Sequence, residues 1–361
     1  MLVELWLRGV RNLAECRVRP SAGLSVFVGA NGSGKTSLLE AAYVLGLGRS
    51  FRTHRLARVA QSGATEFAMA AELDDAHHGR SRVAVEWSGQ RRSRLNGQWM
   101  EGHWEIARRL PLVAVHADSF ELLTGPPEER RRLLDWGGFY VDTDFAREWR
   151  TWRRAHEQRN AALRQHDERG AERFEGVAAS AGTRLTEMRA RFVQDLAQHL
   201  RGPTTESLRQ GLQGEIDVAF RQGWPDGEDL VAAFARSRSS DLERGFAQTG
   251  PQKADIEIRV AGRSIREASR GEQKRVLNAL VVAQGKVLVS SAPAGIAPLL
   301  LLDDAVAEMD EPGLEGVMSV VAQLGWQCLA TTVDETWAFD AAASQSDATM
   351  FHVKHGVITP G

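Results

Sequence analysis

The sequence predicts an α/β fold in two lobes, and three observations predict it. A short apolar strand, Leu24 to Val28, runs into a glycine-rich loop and then an apolar helix. Far along the chain a second buried strand, Pro298 to Leu302, ends in adjacent carboxylates, Asp303 and Asp304. Between them lie alternating strand patterns over residues 65 to 115 and a charged helical stretch from about Asp144 to Leu200. A strand–loop–helix unit near one end and a matching buried strand near the other place the central sheet in the two terminal parts of the chain.

Bulk composition sets the outer limits. A chain of 361 residues has room for about two domains, and 43% apolar with 25% charged residues is ordinary for a globular protein. No apolar run approaches the roughly 20 residues that span a bilayer. The start, Met1-Leu2-Val3-Glu4-Leu5-Trp6, lacks the basic and long apolar regions of a signal peptide. Two cysteines, Cys16 and Cys328, fit a reducing cytosol, so a cytoplasmic protein without a membrane partner is expected. The histidines are scattered, with no H-x-x-x-H, and there is no C-x-x-C, so no zinc site is expected. A net charge of −2 gives no global pull toward nucleic acid; any basic surface must be local or made by assembly.

In chain order, residues 2 to 28 read as strands, with a turn at Arg11-Asn12. The helix after the loop carries Leu38, Leu39, Ala42 and Leu45 on one stripe and ends at Gly46 and Gly48. Arg49, Arg52, Arg55 and Arg58 follow at every third residue with no acid among them: a solvated surface, or a strip that contacts phosphates if a helical turn aligns them. Residues 65 to 115 read as a twisted antiparallel meander in which Asn96-Gly97 is a strong hairpin signal and 112 to 116 a buried strand. Arg91, Arg92 and Arg94 make that hairpin basic and are the other candidate DNA contacts. Gly125-Pro126-Pro127 breaks the chain. The helical segment beyond reads as at least two packed helices, divided at Gly170 and at Ala178 to Gly182, and is too short for a long coiled-coil arm. Residues 203 to 250 read as a loop, a further helix and a return to the sheet. The expected division is a core of residues 1–125 with 250–361 and a helical lobe over 126–249.

Three stretches carry chemistry. Gly29-Ala30-Asn31-Gly32-Ser33-Gly34-Lys35-Thr36 matches G-x-x-x-x-G-K-[ST] at every fixed position. Its glycines let successive N–H groups turn onto an anion, and the following helix adds its own unpaired N–H groups. Lys35 supplies a point charge for the outer phosphates, and the Thr36 hydroxyl can ligate magnesium. Ser269-Arg270-Gly271-Glu272-Gln273 opens a second helix, with Ser269 as its cap, and forms a second anion site. Leu299 to Asp304 is four apolar residues followed by an acid that holds magnesium and a second acid placed to orient or deprotonate water. Thr331 and Thr332 end a further strand near the expected γ-phosphate position.

This constellation resembles the ABC-type ATPase head, and Asn31 within the loop resembles the SMC and DNA-repair branch of that class. Residues 29 to 52 are similar, almost throughout, to the N-terminal signature of the RecF family of bacterial recombination mediators. Gly125 to Asp135, Gln158-Arg159-Asn160, Ser269 to Arg275 and Leu301 to Asp304 fit the same family, so the resemblance spans about residues 2 to 335. Two stretches depart from it: Ala117-Asp118-Ser119 stands where Pro-Glu-Asp is usual, and Gly250-Pro251-Gln252-Lys253 where Gly-Pro-His-Arg/Lys is usual.

The resemblance implies an ABC-type head with an antiparallel β subdomain in the first lobe, a mainly helical second lobe and no long coiled coil. It implies ATP and Mg²⁺ as ligands, with Gly29 to Ser37 (Gly29, Ala30, Asn31, Gly32, Ser33, Gly34, Lys35, Thr36 and Ser37) around the nucleotide and Thr36 and Asp303 on the metal. Heads of this class are composite, so Ser269, Gly271, Glu272 and Gln273 would complete the site of a second copy, with Lys35 and Asp304 acting on the nucleotide held by their own chain. The implied function is an ATP-dependent DNA clamp of recombinational repair and the SOS response. It would dimerise on ATP, hydrolyse it slowly under DNA stimulation, bind duplex and gapped or single-stranded DNA, and help load RecA with a RecR-type mediator. The alternatives are an ABC-type ATPase subunit of another system and a DNA clamp with vestigial hydrolysis.

Overall fold

The computed structural model describes residues 1–75, 77–291 and 296–361. The strands and helices in chain order are β1 (Leu2–Arg8), β2 (Cys16–Val18), β3 (Leu24–Val28), α1 (Lys35–Leu47), β4 (Glu66–Asp75), β5 (Gly79–Ser88), β6 (Arg91–Leu95), β7 (Gln98–Met100), α2 (Trp104–Arg109) and β8 (Leu112–Val115). Then come α3 (Glu121–Thr124), α4 (Pro127–Val141), α5 (Phe145–Arg164), α6 (Glu168–Arg201), α7 (Glu206–Arg209), β9 (Ile216–Arg221), α8 (Leu230–Arg244), β10 (Asp255–Val260) and β11 (Arg263–Ser264). The last are α9 (Arg270–Ser291), β12 (Leu299–Leu302), α10 (Ala305–Glu308), α11 (Glu311–Leu324), β13 (Gln327–Thr332), α12 (Glu335–Ala343), β14 (Ala348–Lys354) and β15 (Val357–Pro360). The chain divides into two compact units, one of Met1–Ser119, Thr204–Gln210 and Arg270–Gly361, the other of Phe120–Pro203 and Gly211–Ser269.

The first unit holds two six-stranded sheets, ordered β2-β1-β4-β5-β6-β7 and β15-β14-β3-β13-β12-β8. In the second, β3, β8, β12, β13 and β14 run parallel, and only β15 is antiparallel. Strands β3, β12 and β13 are buried at every residue, as the central strands of a parallel sheet are. The other sheet is antiparallel and alternates. Leu5, Leu7, Met69, Ala71, Val83 and Val85 join Leu38, Ala42 and Leu45 of α1 in one core, and the opposite face mixes charged side chains with Trp6, Ala68, Ala70, Ala84 and Trp99.

Several local expectations change in three dimensions. Residues 112–115, read with the antiparallel meander, instead form β8 beside β12 in the parallel sheet; α2 carries the chain from one sheet to the other. Gly46 does not end α1. A Cβ there would lie 2.2 Å from Leu112 Cδ2, so the glycine admits close approach to β8, and Gly48 at φ 69° is the cap. The hairpin at Asn96-Gly97 forms as its sequence demands, both residues at positive φ between β6 and β7.

The second unit is mainly helical, with a three-stranded sheet ordered β11-β10-β9. The return after residue 203 therefore enters this small sheet and not the parallel one. Helix α6 runs unbroken for 34 residues. The break expected at Gly170 and at Ala178 to Gly182 falls earlier, at 165–167, where His166 takes φ 53° and the Asp167 side chain accepts from the Gly170 N–H. The small residues are a packing surface: Ala178 and Ala179 meet Ala155, Ala233 and Phe234 in one cluster.

Candidate functional site

The strand order explains the site. Strand β13 lies between β3 and β12, so three strand ends converge: Val28 before the glycine loop, Leu302 before Asp303, and Thr331-Thr332 between them. That is the C-terminal edge of a parallel sheet, where ligands of open α/β folds bind.

At this edge the Asp303 Oδ1 atom accepts two hydroxyls, Thr36 Oγ1 at 2.9 Å and Thr331 Oγ1 at 2.8 Å. Thr331 Oγ1 in turn accepts the Asp304 N–H at 2.8 Å, so one hydroxyl registers both carboxylate residues. Asp304 sits at φ 49°, a left-handed backbone unusual for a residue with a side chain. Its Oδ1 is buried with no hydrogen-bond partner. A buried acceptor left open beside the loop is positioned for a ligand proton.

The loop itself is shaped by Gly32 at φ 76° and Gly34 at φ 119°. Lys35 is buried, and its Nζ donates to the Gly29 and Ala30 carbonyl oxygens at 2.7 and 2.9 Å. Burial lowers the lysine pKa; Asp304 and then Asp303 pull it back up. Two neighbours hold the loop from behind. Asn12 of the β1–β2 turn donates to the Gly32 carbonyl at 2.8 Å and accepts from Ser37 Oγ at 3.0 Å. The β14–β15 turn donates Gly356 N–H to the Ser33 carbonyl at 2.7 Å. Neither brace was singled out from the sequence: Asn12 read only as a turn residue, and the tail beyond Thr332 was given no element. The His355-Gly356 turn, both residues at positive φ, is the signal that could have marked that tail as a hairpin.

The geometry suits the expected ligands. Two oxygens bound side by side on one octahedral magnesium at about 2.0–2.1 Å lie roughly 2.9 Å apart, which matches the separation of Thr36 Oγ1 and Asp303 Oδ1. No group of three or more His, Cys, Asp or Glu that could hold a metal occurs among the described residues.

Helix α9 begins at Arg270, directly after Ser269. Gly271 has open space where a Cβ would stand. Lys274 Nζ donates to the Ala307 carbonyl at 3.3 Å, tying the helix start to the segment after Asp304. Glu308 in that segment has a raised pKa, chiefly from burial and then from the Asp304 charge, with Lys274 and Arg270 opposing.

The candidate arginines separate. Residues 49–58 are not helical beyond a short 3₁₀ turn, Leu56–Val59. Arg49, Arg55 and Arg58 are exposed, and Arg52 reaches Glu40 at 3.4 Å. Glu40 is fully buried and is also held by Arg11 at 2.7 Å. Arg91 turns its guanidinium onto the Gly48 carbonyl, where burial lowers its pKa. Arg92 and Arg94 instead lie over the Trp99 ring.

The model of the RecF/RecN/SMC N-terminal domain matches residues 1–359. A DNA replication and repair protein RecF of Stutzerimonas stutzeri is 37% identical over 364 residues, covering 99% of this chain and 97% of its own. The chain belongs to the RecF family. The RecF proteins of Chromohalobacter salexigens and a Marinomonas species are 36% and 34% identical, each alignment covering at least 97% of both chains. A solved structure of the recombination mediator protein RecF with ATP, described in the RecFOR pathway, superposes with a TM-score of 0.87 at 20% identity, covering 100% of this chain and 97% of that one. An Smc head bound to the C-terminal winged-helix domain of ScpA gives 0.60 at 18% identity, covering 100% and 96%. The chain thus has the fold of the ABC-type ATPase heads, with an antiparallel β subdomain, a mainly helical second unit and, among the described residues, no long coiled coil. No helix among the described residues is long and apolar enough to cross a membrane.

Proposed function

We propose that the protein is a cytoplasmic, ATP-dependent DNA clamp of recombinational repair. The observation that carries this reading is the convergence of Thr36 and Thr331 on one oxygen of Asp303, beside the buried Lys35 and the open carboxylate oxygen of Asp304. The N–H groups from Gly29 to Ser37 bind the phosphates of ATP, and Lys35 leaves the loop carbonyls for the outer phosphates. Thr36 and Asp303 would hold Mg²⁺, which when bound would supply positive charge beside the phosphates. Asp304 orients water and takes its proton as the new P–O bond forms and the bond to the ADP oxygen breaks. The products are ADP and phosphate.

Ser269, Gly271, Glu272 and Gln273 open a helix that offers N–H groups to a second nucleotide. One chain carries one phosphate loop and one such signature, so two chains related by a two-fold axis complete two sites. ATP then fastens the dimer, and hydrolysis releases it. By its family, the clamp acts on duplex and gapped or single-stranded DNA with a RecR-type mediator, upstream of RecA, and DNA stimulates its slow turnover.

The test is sedimentation with single-turnover kinetics. With ATP and Mg²⁺ the chain should sediment as a dimer, and Ser269→Arg should remain monomeric while still binding nucleotide. Asp304→Asn should bind ATP and dimerise but hydrolyse at least tenfold more slowly, in line with the roughly 10²–10⁴-fold contribution of a positioned base. A monomer under saturating ATP refutes the composite site. Unchanged hydrolysis in Asp304→Asn refutes the role of that carboxylate.

A further inference from the structure

The solvent face of the antiparallel sheet holds a side-chain arrangement that the nucleotide site does not use. Cross-strand register places Arg17, Trp6, Ala70, Ala84, Arg94 and Trp99 in one row from β2 to β7. The next row holds Arg8, Ala68, Glu86 and Arg92. Arg82 projects from the same face two residues from Ala84. Each end of the face is an arginine–tryptophan post. Arg8 lies 5.6 Å from the Trp6 ring centroid, and Arg92 and Arg94 lie 3.6 and 3.7 Å from that of Trp99. Between Trp6 and Arg94 the floor is alanine, about 14 Å across at the usual strand spacing. The acids on this face are Glu4, Glu66, Glu72, Asp74 and Glu86, and all but Glu86 lie on β1 and β4; Glu86 approaches Arg94 at 3.6 Å, Asp74 approaches Arg80 at 3.7 Å, Glu4 approaches Arg17 at 3.8 Å, and Glu72 stands opposite Arg82.

We propose that this face, with Arg82, Arg92 and Arg94 as phosphate contacts and Trp99 as their positioning residue, docks the backbone of duplex DNA. The inference rests on the DNA-clamp reading above. Charge complementarity selects the partner: Arg82, Arg92 and Arg94 cluster at the β5–β7 end of the face, where Glu86 is the one acid on those strands facing the same side. The Trp99 ring selects duplex over single strands. Single-strand binders need free aromatic faces on which bases stack, and here two guanidiniums already lie over the ring. Stacking holds those guanidiniums before DNA arrives, which reduces the ordering cost of each phosphate contact. Arg91, bound to the Gly48 carbonyl, is not part of this surface.

The experiment is duplex and single-strand binding by fluorescence anisotropy across a salt series, with ATP and Mg²⁺, on the full chain. Replacing Arg82, Arg92 and Arg94 together by Ala should weaken duplex binding and flatten the plot of log affinity against log salt by roughly 2–3, about 0.9 per lost phosphate contact. Trp99→Ala should weaken duplex binding about 2–5-fold, Trp99→Phe should restore it, and Arg91→Ala should leave the slope unchanged. Single variants Arg82→Ala and Arg92→Ala, each flattening the slope by about 0.9, serve if the triple variant fails to fold. Duplex binding by the triple variant with unaltered affinity and slope overturns the proposal. So does a loss confined to single strands, which would assign the face to that ligand. An unmodified chain that binds no DNA refutes the clamp reading itself, a result distinct from either.

Discussion

Arginine is put to opposite uses in the two units. Inside the mainly helical unit several arginines are buried and paired. Arg159, with no exposed side-chain area, donates to Glu175 at 3.0 Å and to Asp241 at 2.9 Å, and Arg238 closes on the same Glu175 at 2.6 Å. Arg189 donates to Asp135 at 2.6 Å and Arg130 to Asp255 at 2.6 Å. On the antiparallel sheet of the other unit, Arg82 and Arg92 are exposed, and Arg92 has an aromatic ring beneath it. Runs such as Arg130-Arg131-Arg132 and Arg91-Arg92 look alike as text. What separates them is whether a carboxylate lies within reach after folding: Arg131 and Arg132 pair with Glu128 and Glu129 one helical turn away. A buried guanidinium must be neutralised by partners to offset its lost hydration, so it is unavailable to a phosphate. An exposed one costs little to leave open.

The largest expected effect lies in the buried network. Arg159→Met strands the Glu175 and Asp241 carboxylates in the interior and should destabilise the protein by about 3–5 kcal/mol in urea denaturation. A loss below about 1 kcal/mol would erase the contrast, because that is the scale of exposed pairs.

Acidification probes one histidine in each unit next. Burial, and then the Arg159 charge, lowers the His156 pKa from 6.5 to about 4, and burial and then Arg91 lower that of His103 to about 4. Between those values the unfolded chain binds more protons than the folded one, so stability falls as pH drops from 6.5 toward 4. Each histidine contributes a slope of roughly 1 kcal/mol per pH unit there. Urea midpoints between pH 7 and 5 should show the decline, and His156→Phe should remove about half of it; a flat profile would place both imidazoles in contact with water.

The smallest effects separate neighbouring arginines on one strand. Arg91→Ala removes a hydrogen bond to the end of α1 and should cost about 1 kcal/mol. Arg92→Ala should change stability by less than about 0.5 kcal/mol. Equal losses from the two would mean that stacking on Trp99 contributes to folding as much as the Gly48 contact does.

Legibility followed the range of the interactions. The strand–loop–helix around Gly29 to Thr36, the helix start after Ser269 and the strand end before Asp303-Asp304 were readable as elements because each is a run of consecutive residues whose backbone shape is local. The Asn96-Gly97 hairpin was readable for the same reason. Gly46 was misread as a helix end, since only the approach of Leu112 shows why a side chain is excluded there. The small residues of α6 were misread as a break because only their neighbours on α5 and α8 show that they are packed. Asn12 and Gly356 were missed as braces of the loop because each acts on a backbone atom distant in sequence.

The sequence by itself determined the family, the glycine loop between strand and helix, and the place of Asp303 and Asp304 at a strand end, because these depend on residue type at fixed short spacing. Tertiary structure decided the rest. The order β3-β13-β12 brought Thr36, Thr331 and Asp303 to one oxygen. The register of β5, β6 and β7 set Arg82, Arg92, Arg94 and Trp99 on one exposed face while Arg91 turned inward. The reason is the period of a strand: neighbouring side chains point to opposite faces, and only pairing with the next strand decides what each face meets.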